Sequence, residues 1–380
     1  MILFIDIFDT PIYNSCYMLG EKTVAVVISA YNEEKQITGV LETIPEFVDR
    51  VVVINDGSKD NTGNIVKDFI DKENISVTPL NHVNKNNTEG KYNKANLVVE
   101  DLMRKEDQYY MPSEIYSKEK SRIILITHLT NGGKGEAVKT GYKWCRDHQI
   151  DCTATLDGDG QMDPSELEDL CRPIIYRDID YSKGNRLRHR SALLVIPKIR
   201  FIGNSILSLL TKISSGYWHV TDTQTGFNAI SLRALKAIKI HKIYSRYGYP
   251  NDVLVKLNTA FCTITEVDQK PVYNIGEKSK MNELKVVPKI SWLLFKSFWK
   301  RLYQKYLFRD FSPLFLLYHL AFLLILFDIP FLKLALVSLN PMDRMETRDM
   351  IMFTFLTISA FQSLFFAMWM DMVDNERLHK

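Results

Sequence analysis

From Met350 to Met370 the chain runs for 21 residues without an Asp, Glu, Lys or Arg, and from Ser312 to Phe327 for another 16. A helix needs about 20 mostly apolar residues to cross the hydrocarbon core of a bilayer. The second run meets that requirement alone. The first extends past Asp328 and Pro330 through FLKLALVSL to Leu339, which predicts a longer, kinked span with Asp328 and Lys333 toward one end. Only the ten residues NPMDRMETRD lie between them. The two are therefore expected to form a transmembrane hairpin, about 311–339 and 350–372, that returns the chain to its starting side and leaves 373–380 as a cytoplasmic tail.

The rest of the chain has the composition of a folded domain. With 48 Lys and Arg against 45 Asp and Glu and 46% hydrophobic residues, it is neither a disordered segment nor a small disulfide scaffold. The five cysteines contain no C-x-x-C pair, which argues against a zinc site and for reduced packing residues. The first 22 residues carry Asp6 and Asp9 within an apolar stretch and no basic flank, so they read as an N-terminal extension and not as a signal peptide.

From Thr23 onward, apolar strand alternates with amphipathic helix. TVAVVIS, VVVIN, RIILIT and CTATL are β-branched runs, each ending in a polar or Gly-rich segment: YNEE, DGSKDNT, NGGKGE and DGDGQMDP. This rhythm predicts an α/β domain over 23–282 with a doubly wound, mostly parallel sheet. In such sheets the ligand sits beyond the carboxyl ends of the strands, where these segments fall. Residues 80–121, rich in Asn, Lys and Glu, break the rhythm and read as a surface insertion.

Asp157-Gly158-Asp159 directly follows the fourth strand. Two carboxylates at i and i+2 can turn onto one cation, and hard oxygen ligands suit Mg²⁺ or Mn²⁺ bound together with substrate phosphates. Asn55-Asp56-Gly57-Ser58 is a strong turn sequence whose Asp56 could accept hydrogen bonds from a nucleobase or ribose. Asn131-Gly-Gly-Lys134-Gly135 lacks the P-loop spacing, so Lys134 reads as a phosphate-side or structural residue of a glycine turn.

Taken in order, SAYNEE, NDGSKDNT, NGGKGEAVKTG, LDGDGQMDP, GNR and DTQTGF resemble glycosyltransferase family 2, and within it the polyprenyl-phosphate glycosyltransferases such as dolichyl-phosphate mannose and glucose synthases. The resemblance covers residues 23 to about 280 and implies a GT-A-like fold. Ser29 stands where the family usually has Pro, and Asn55 where the first Asp of Asp-Asp-Gly-Ser is common. By position, the resemblance implies that Tyr31, Glu33, Asp56, Lys134 and Asp157 bind the nucleotide sugar. It further implies that Asp157, Asp159 and Gln161 hold the metal, and that Asp159, Arg186, Asp222 and Gln224 act at the reacting centre. Arg186, Arg200, Ser279 and Lys280 would meet a lipid phosphate.

Two tracts hold basic residues and no acid: Lys183, Arg186, Arg188, Arg190, Lys198, Arg200 and Lys212, then Lys285, Lys289, Lys296, Lys300, Arg301, Lys305 and Arg309. Together they contain 14 of the 48 Lys and Arg. Aromatic and aliphatic residues are interleaved with them, as in helices lying in a membrane interface. Residues 283–310 are therefore expected to form juxtamembrane interfacial helices. Nucleic acid is the other partner basic tracts attract; the hairpin directly after the second tract selects lipid. Cations flanking a span favour the cytoplasmic side, so the catalytic domain is expected there, on an integral membrane protein.

A lipid phosphate is already anionic at neutral pH and needs no general base, unlike a hydroxyl acceptor. The expected reaction is thus inverting, metal-dependent sugar transfer from a UDP- or GDP-linked donor to a polyprenyl phosphate, dolichyl or undecaprenyl. The alternatives are transfer to a hydroxyl of a lipid-linked glycan, with Asp222 or Asp252 as base, and an inert membrane adaptor on the same scaffold. A processive synthase is disfavoured because no Arg-Trp pair occurs in the chain. A homo-oligomer is compatible with the sequence.

Overall fold

The computed structural model describes residues 19–73, 94–118, 121–192, 198–272, 283–338 and 345–380. Most of the N-terminal extension lies outside these residues, as do Ser279 and Lys280. Among the described residues, eight strands form one sheet in the order β3-β4-β2-β1-β5-β7-β6-β8. They are β1 (Val24–Ala30), β2 (Arg50–Asn55), β3 (Ser113–Tyr116), β4 (Ile123–His128), β5 (Cys152–Asp157), β6 (Tyr181–Asn185), β7 (Asn228–Ser231) and β8 (Ile264–Asp268). The four strands expected from sequence, β1, β2, β4 and β5, are its parallel centre.

Around the sheet run α1 (Ile37–Glu42), α2 (Thr62–Lys72), α3 (Lys94–Glu106), α4 (Lys134–Asp147) and α5 (Leu167–Arg177). They are followed by α6 (Lys198–Ser215), α7 (Leu232–Ala237), α8 (Tyr249–Thr259) and α9 (Glu283–Tyr306). Alternation along β1 divides the core: Val24, Val26 and Ile28 pack with residues of α1, α2 and α5, and Ala25 and Val27 with residues of α4, α7 and α8. Both faces of the central strands are covered, which is why they read as continuous apolar runs.

The sheet is more mixed than the rhythm implies. β7 runs antiparallel between β5 and β6, and β3 runs antiparallel to β4 with Ile115 opposite Ile126. β3 and α3 both come from the segment 80–121, so its C-terminal half extends the sheet instead of standing apart from it. Arg146 of α4 holds Glu106 at the end of α3 at 3.2 Å.

Two helices, α10 (Pro313–Val337, 25 residues) and α11 (Thr347–Glu376, 30 residues), are long and apolar enough to cross a membrane. At 1.5 Å per residue α10 spans about 37 Å, against about 30 Å of hydrocarbon. They pack against each other, and Asp328, the acid within α10, accepts a hydrogen bond from Thr357 of α11 at 2.7 Å.

The base of this hairpin is fixed to the helices and sheet that precede it. Arg301 of α9 is fully buried and pairs bidentately with Asp371 of α11, both distances 2.8 Å. Lys305, 1% exposed, reaches Asp374 at 3.0 Å and also Asn375. These two cations, counted from sequence among the lipid-facing charges, instead bind the far leg of the hairpin; Lys289, Lys296 and Lys300 remain exposed. Residues 373–380 are likewise no free tail. α11 continues to Glu376, and the last residues pair with β8: Ile264 N–H donates to Leu378 O at 2.7 Å, and Lys380 N–H to Ile264 O at 2.9 Å.

Candidate active site

The loops at the carboxyl ends of β1, β2, β4 and β5 converge on a cavity of about 860 Å³. The first two are stitched together. Asn32, in a left-handed conformation that Asn tolerates, accepts from Lys59 N–H at 2.9 Å, while Asn32 and Glu33 N–H donate to Ser58 and Thr62 at 3.0 and 2.9 Å. Tyr31 and Glu33 both line the cavity. Asn55 accepts from Ser58 N–H at 3.1 Å and shapes the turn.

Asp56 is 3% exposed and faces the protein as much as the cavity. Its carboxylate accepts from the N–H groups of Gly132 and Gly133 at 2.9 and 2.8 Å and meets His128 Nδ1 at 2.7 Å. Burial works against the anion, but His128 and the two glycine amides outweigh it and hold the carboxyl below its usual range. Asp56 thus fixes the glycine turn that delivers Lys134. That turn has no room for side chains: a Cβ on Gly135 would lie 1.9 Å from the carbonyl oxygen of Tyr244. Gly135→Ala is therefore expected to destabilise the fold by about 1–3 kcal/mol or more, read as a lowered melting temperature.

Asp157 ends β5 and Asp159 follows in the turn. Asp157 Oδ2 accepts from Lys134 Nζ at 2.5 Å and Oδ1 from Ser29 Oγ at 3.3 Å, so Ser29 helps orient this carboxylate. Asp159 accepts from Gln161 N–H at 3.0 Å. Burial, then the charge of Asp157, push the Asp159 carboxyl up to about 6. Among the described residues no group of three or more His, Cys, Asp or Glu is placed to hold a metal ion by itself. Two carboxylates short of countercharge, opening on a cavity, suit a cation whose remaining ligands come from substrate phosphates.

Arg186, just past β6, grips Asp222 through Nε and Nη2 at 2.8 and 3.1 Å. Burial opposes ionisation of Asp222, and Arg186 more than compensates, keeping the carboxyl below its usual range. Glu266 of β8 positions this loop by accepting from the N–H groups of Thr221 and Asp222 at 2.8 and 3.2 Å. Gln224 lines the cavity and donates to Thr223 at 2.7 Å and Asn251 at 3.0 Å.

Sequence reasoning did not bring several neighbours to the site: Lys183 and Lys289 were read only as members of the lipid-facing basic tracts, and Lys183 is instead fully buried. Lys183, fully buried in β6, donates to Thr225 O at 2.6 Å, and burial pushes its ammonium down to about 8. Tyr249 lines the cavity beside Lys134, and Arg246 and Lys289 add two cations to the lining. None of these lies in a recognisable motif. Asp252, the alternative base, accepts from Tyr244 N–H at 2.8 Å and pairs with Lys256. Arg200 lies in α6, with its side chain outside the described residues.

Two helices outside the central sheet also wall the cavity. α9, which leads toward the hairpin, contributes Val286, Val287, Lys289 and Ile290, and α6 contributes Gly203, Asn204 and Leu207. The same helices expose apolar residues, Ile206 and Leu209 on α6 and Trp292 and Phe295 on α9.

The sheet thus carries a pair of stitched loops after β1 and β2 and an Asp-x-Asp turn after β5. Residues 25–100 and 106–239 match the family described as glycosyl transferase family 2. The chain belongs to that family. This glycosyltransferase is 29% identical over 256 residues to the UDP-N-acetylglucosamine–dolichyl-phosphate N-acetylglucosaminyltransferase of Methanococcus voltae, covering 67% of this chain and 88% of the relative. It is 23% identical over 297 residues to a dolichyl-phosphate beta-glucosyltransferase of Trichomonas vaginalis, covering 73% and 71%. Among solved structures, glucosyl-3-phosphoglycerate synthase from Mycobacterium tuberculosis with bound UDP aligns over 74% of this glycosyltransferase and 80% of that chain, at 17% identity and a TM-score of 0.43.

Proposed function

We propose that the enzyme transfers a sugar from a UDP- or GDP-linked donor to a polyprenyl phosphate, dolichyl or undecaprenyl, at a membrane surface, with inversion. The observation that carries this reading is the composition of the cavity. Its lining combines the Asp157–Asp159 turn with apolar residues and Lys289 from α9, the helix leading to the hairpin. A substrate with a phosphate head and an apolar tail matches that combination. The relatives that act on dolichyl phosphate point the same way.

In this reading, Tyr31, Glu33 and the loop held by Asp56 receive the nucleotide. Mg²⁺ or Mn²⁺, held by Asp157 and Asp159 with Gln161 nearby, would neutralise charge on the leaving diphosphate. Arg186, locked in direction by Asp222, meets the acceptor phosphate together with Lys289 and Arg246, screening its repulsion from the donor. An acceptor oxygen attacks the anomeric carbon, the carbon–oxygen bond to the diphosphate breaks, and nucleoside diphosphate departs. The acceptor is already an anion, so no proton has to be removed from it. Arg200, Ser279 and Lys280 remain candidates for the same phosphate.

Transfer to a hydroxyl would need a free carboxylate base. Asp222 and Asp252, the two candidates, are each bound by a cation, Arg186 and Lys256. The basic residues flanking the hairpin favour a cytoplasmic catalytic domain and C-terminus in this reading.

The test is a donor panel. Full-length enzyme in detergent, incubated with a divalent cation, polyprenyl phosphate and labelled nucleotide sugars, is expected to move label from one donor into the organic phase. Chelation should abolish the transfer. Label that stays aqueous with every donor would overturn the reading.

A further inference from the structure

Tyr249 opens α8 and is 1% exposed, yet its hydroxyl has no hydrogen-bond partner among the described residues. A buried phenol normally finds a partner, because an unpaired hydroxyl forfeits the hydrogen bonds it made in water. This one lines the active-site cavity. Its surroundings are defined by Gly226: a methyl group there would meet Tyr249 Oη at 2.8 Å, Lys134 Nζ at 3.2 Å and Met162 Cε at 3.4 Å. Three side chains from separate elements thus converge on one spot that only glycine leaves open.

The charge of this spot limits what can fill it. Lys134 is the adjacent cation, 6.0 Å from the Tyr249 ring centre, and it is already committed to Asp157 at 2.5 Å. Asp159 lies beside that pair and adds negative charge. Lys134 spends its charge on Asp157, and a diphosphate would be drawn to the cation that Asp157 and Asp159 would hold and not to the Tyr249 hydroxyl. A neutral hydroxyl, able both to donate to a carboxylate and to accept from a phenol, suits the position. Burial also keeps the Tyr249 phenol protonated, well above its ordinary range, so it is a donor at all working pH values.

We propose that Tyr249 is a sugar-recognition residue, its phenol hydrogen-bonding a hydroxyl of the sugar to be transferred. The inference rests on the donor being a nucleotide sugar but not on the identity of the acceptor. The free enzyme keeps an unpaired hydroxyl that the donor's sugar satisfies, so recognition of the sugar is separated from recognition of the nucleotide. A site that hydrogen-bonds a substrate hydroxyl also rejects analogues lacking it more strongly than an apolar pocket can.

Tyr249→Phe in the full-length enzyme tests this, with calorimetric binding of the preferred intact nucleotide sugar and of its free nucleoside diphosphate as readouts. The variant is expected to bind the intact donor about 10-fold more weakly, the loss of one hydrogen bond, and the nucleoside diphosphate within about 2-fold of wild type. Its melting temperature is expected to be unchanged or higher, since the substitution removes an unpaired buried group. A donor lacking the recognised hydroxyl should weaken wild type and leave the variant unaffected. Equal donor affinity in both proteins, parallel loss of nucleoside diphosphate binding, or a lowered melting temperature would each overturn the inference. Wild type that binds a nucleotide sugar but transfers nothing to polyprenyl phosphate would fail the proposed acceptor, while the binding comparison still decides the role of Tyr249.

Discussion

Asp159→Asn is expected to lower sugar transfer by about 10²–10³-fold, the scale on which loss of a transition-state charge contact is felt. Asp157 already has Lys134 and Ser29 as partners, whereas Asp159 receives one backbone N–H and is held protonated up to about 6 by burial and by Asp157. It is the carboxylate in most need of a cation. The same substitution carries a stability signature. A carboxyl whose pKa is raised in the folded state contributes stability that is complete below its ordinary value of 3.8 and is lost as pH rises through about 6. In chelator, the melting temperature of Asp159→Asn should therefore pull ahead of wild type as pH rises from 4 to above 6, and divalent cation should restore wild type alone. Full activity in the variant, or a gap that does not change with pH, would remove Asp159 from the cation site.

Asp371→Ala is expected to destabilise the protein by about 3–5 kcal/mol, the cost of leaving a buried cation unpaired. Among the described residues Arg301 has no alternative carboxylate at equal distance: its remaining bonds go to the carbonyls of Ser214 and Ile213 at 2.8 and 3.1 Å and to Tyr306. Those carbonyls end α6, seven residues before the Thr221–Asp222 pair that orients Arg186, and Trp218 between them donates to Asp371 at 3.3 Å. Losing Asp371 should thus loosen both the hairpin base and the loop that carries Asp222, and activity should fall together with the melting temperature in detergent. Replacing the pair by Arg301→Met and Asp371→Leu together should recover most of the stability, because neither charge then needs a partner. A single variant as stable as wild type would show that the hairpin is not held by this pair.

How much of this was legible in sequence depends on the range over which each residue acts. β1, β2, β4 and β5 are runs of Val and Ile buried on both faces, and such runs identify themselves. β6 and β7, YSKGN and NAIS, are short and polar, and they are strands only because Asn228 and its neighbours pair across to β5 and β6. The Asp157–Asp159 turn was visible because its chemistry lies within three residues. Asp56 was visible as a turn residue, but its hold on Gly132 and Gly133 spans 76 and 77 positions. Arg301 and Lys305 misled for the same reason: within their own tract they have no acid, and their partners stand about 70 positions later on the other leg of the hairpin. Tyr249 lies in no motif, and what distinguishes it is a missing bond, which no sequence displays.

The central claim is that the acceptor is a lipid monophosphate and not a hydroxyl. It is tested most directly by offering full-length enzyme, with its preferred labelled donor and a divalent cation, a polyprenyl monophosphate and, separately, a polyprenyl-linked glycan with free hydroxyls. Mass spectrometry of the lipid product should show one sugar joined to the monophosphate through a phosphodiester and no extension of the glycan. Extension of the glycan with the monophosphate left unmodified would contradict the account.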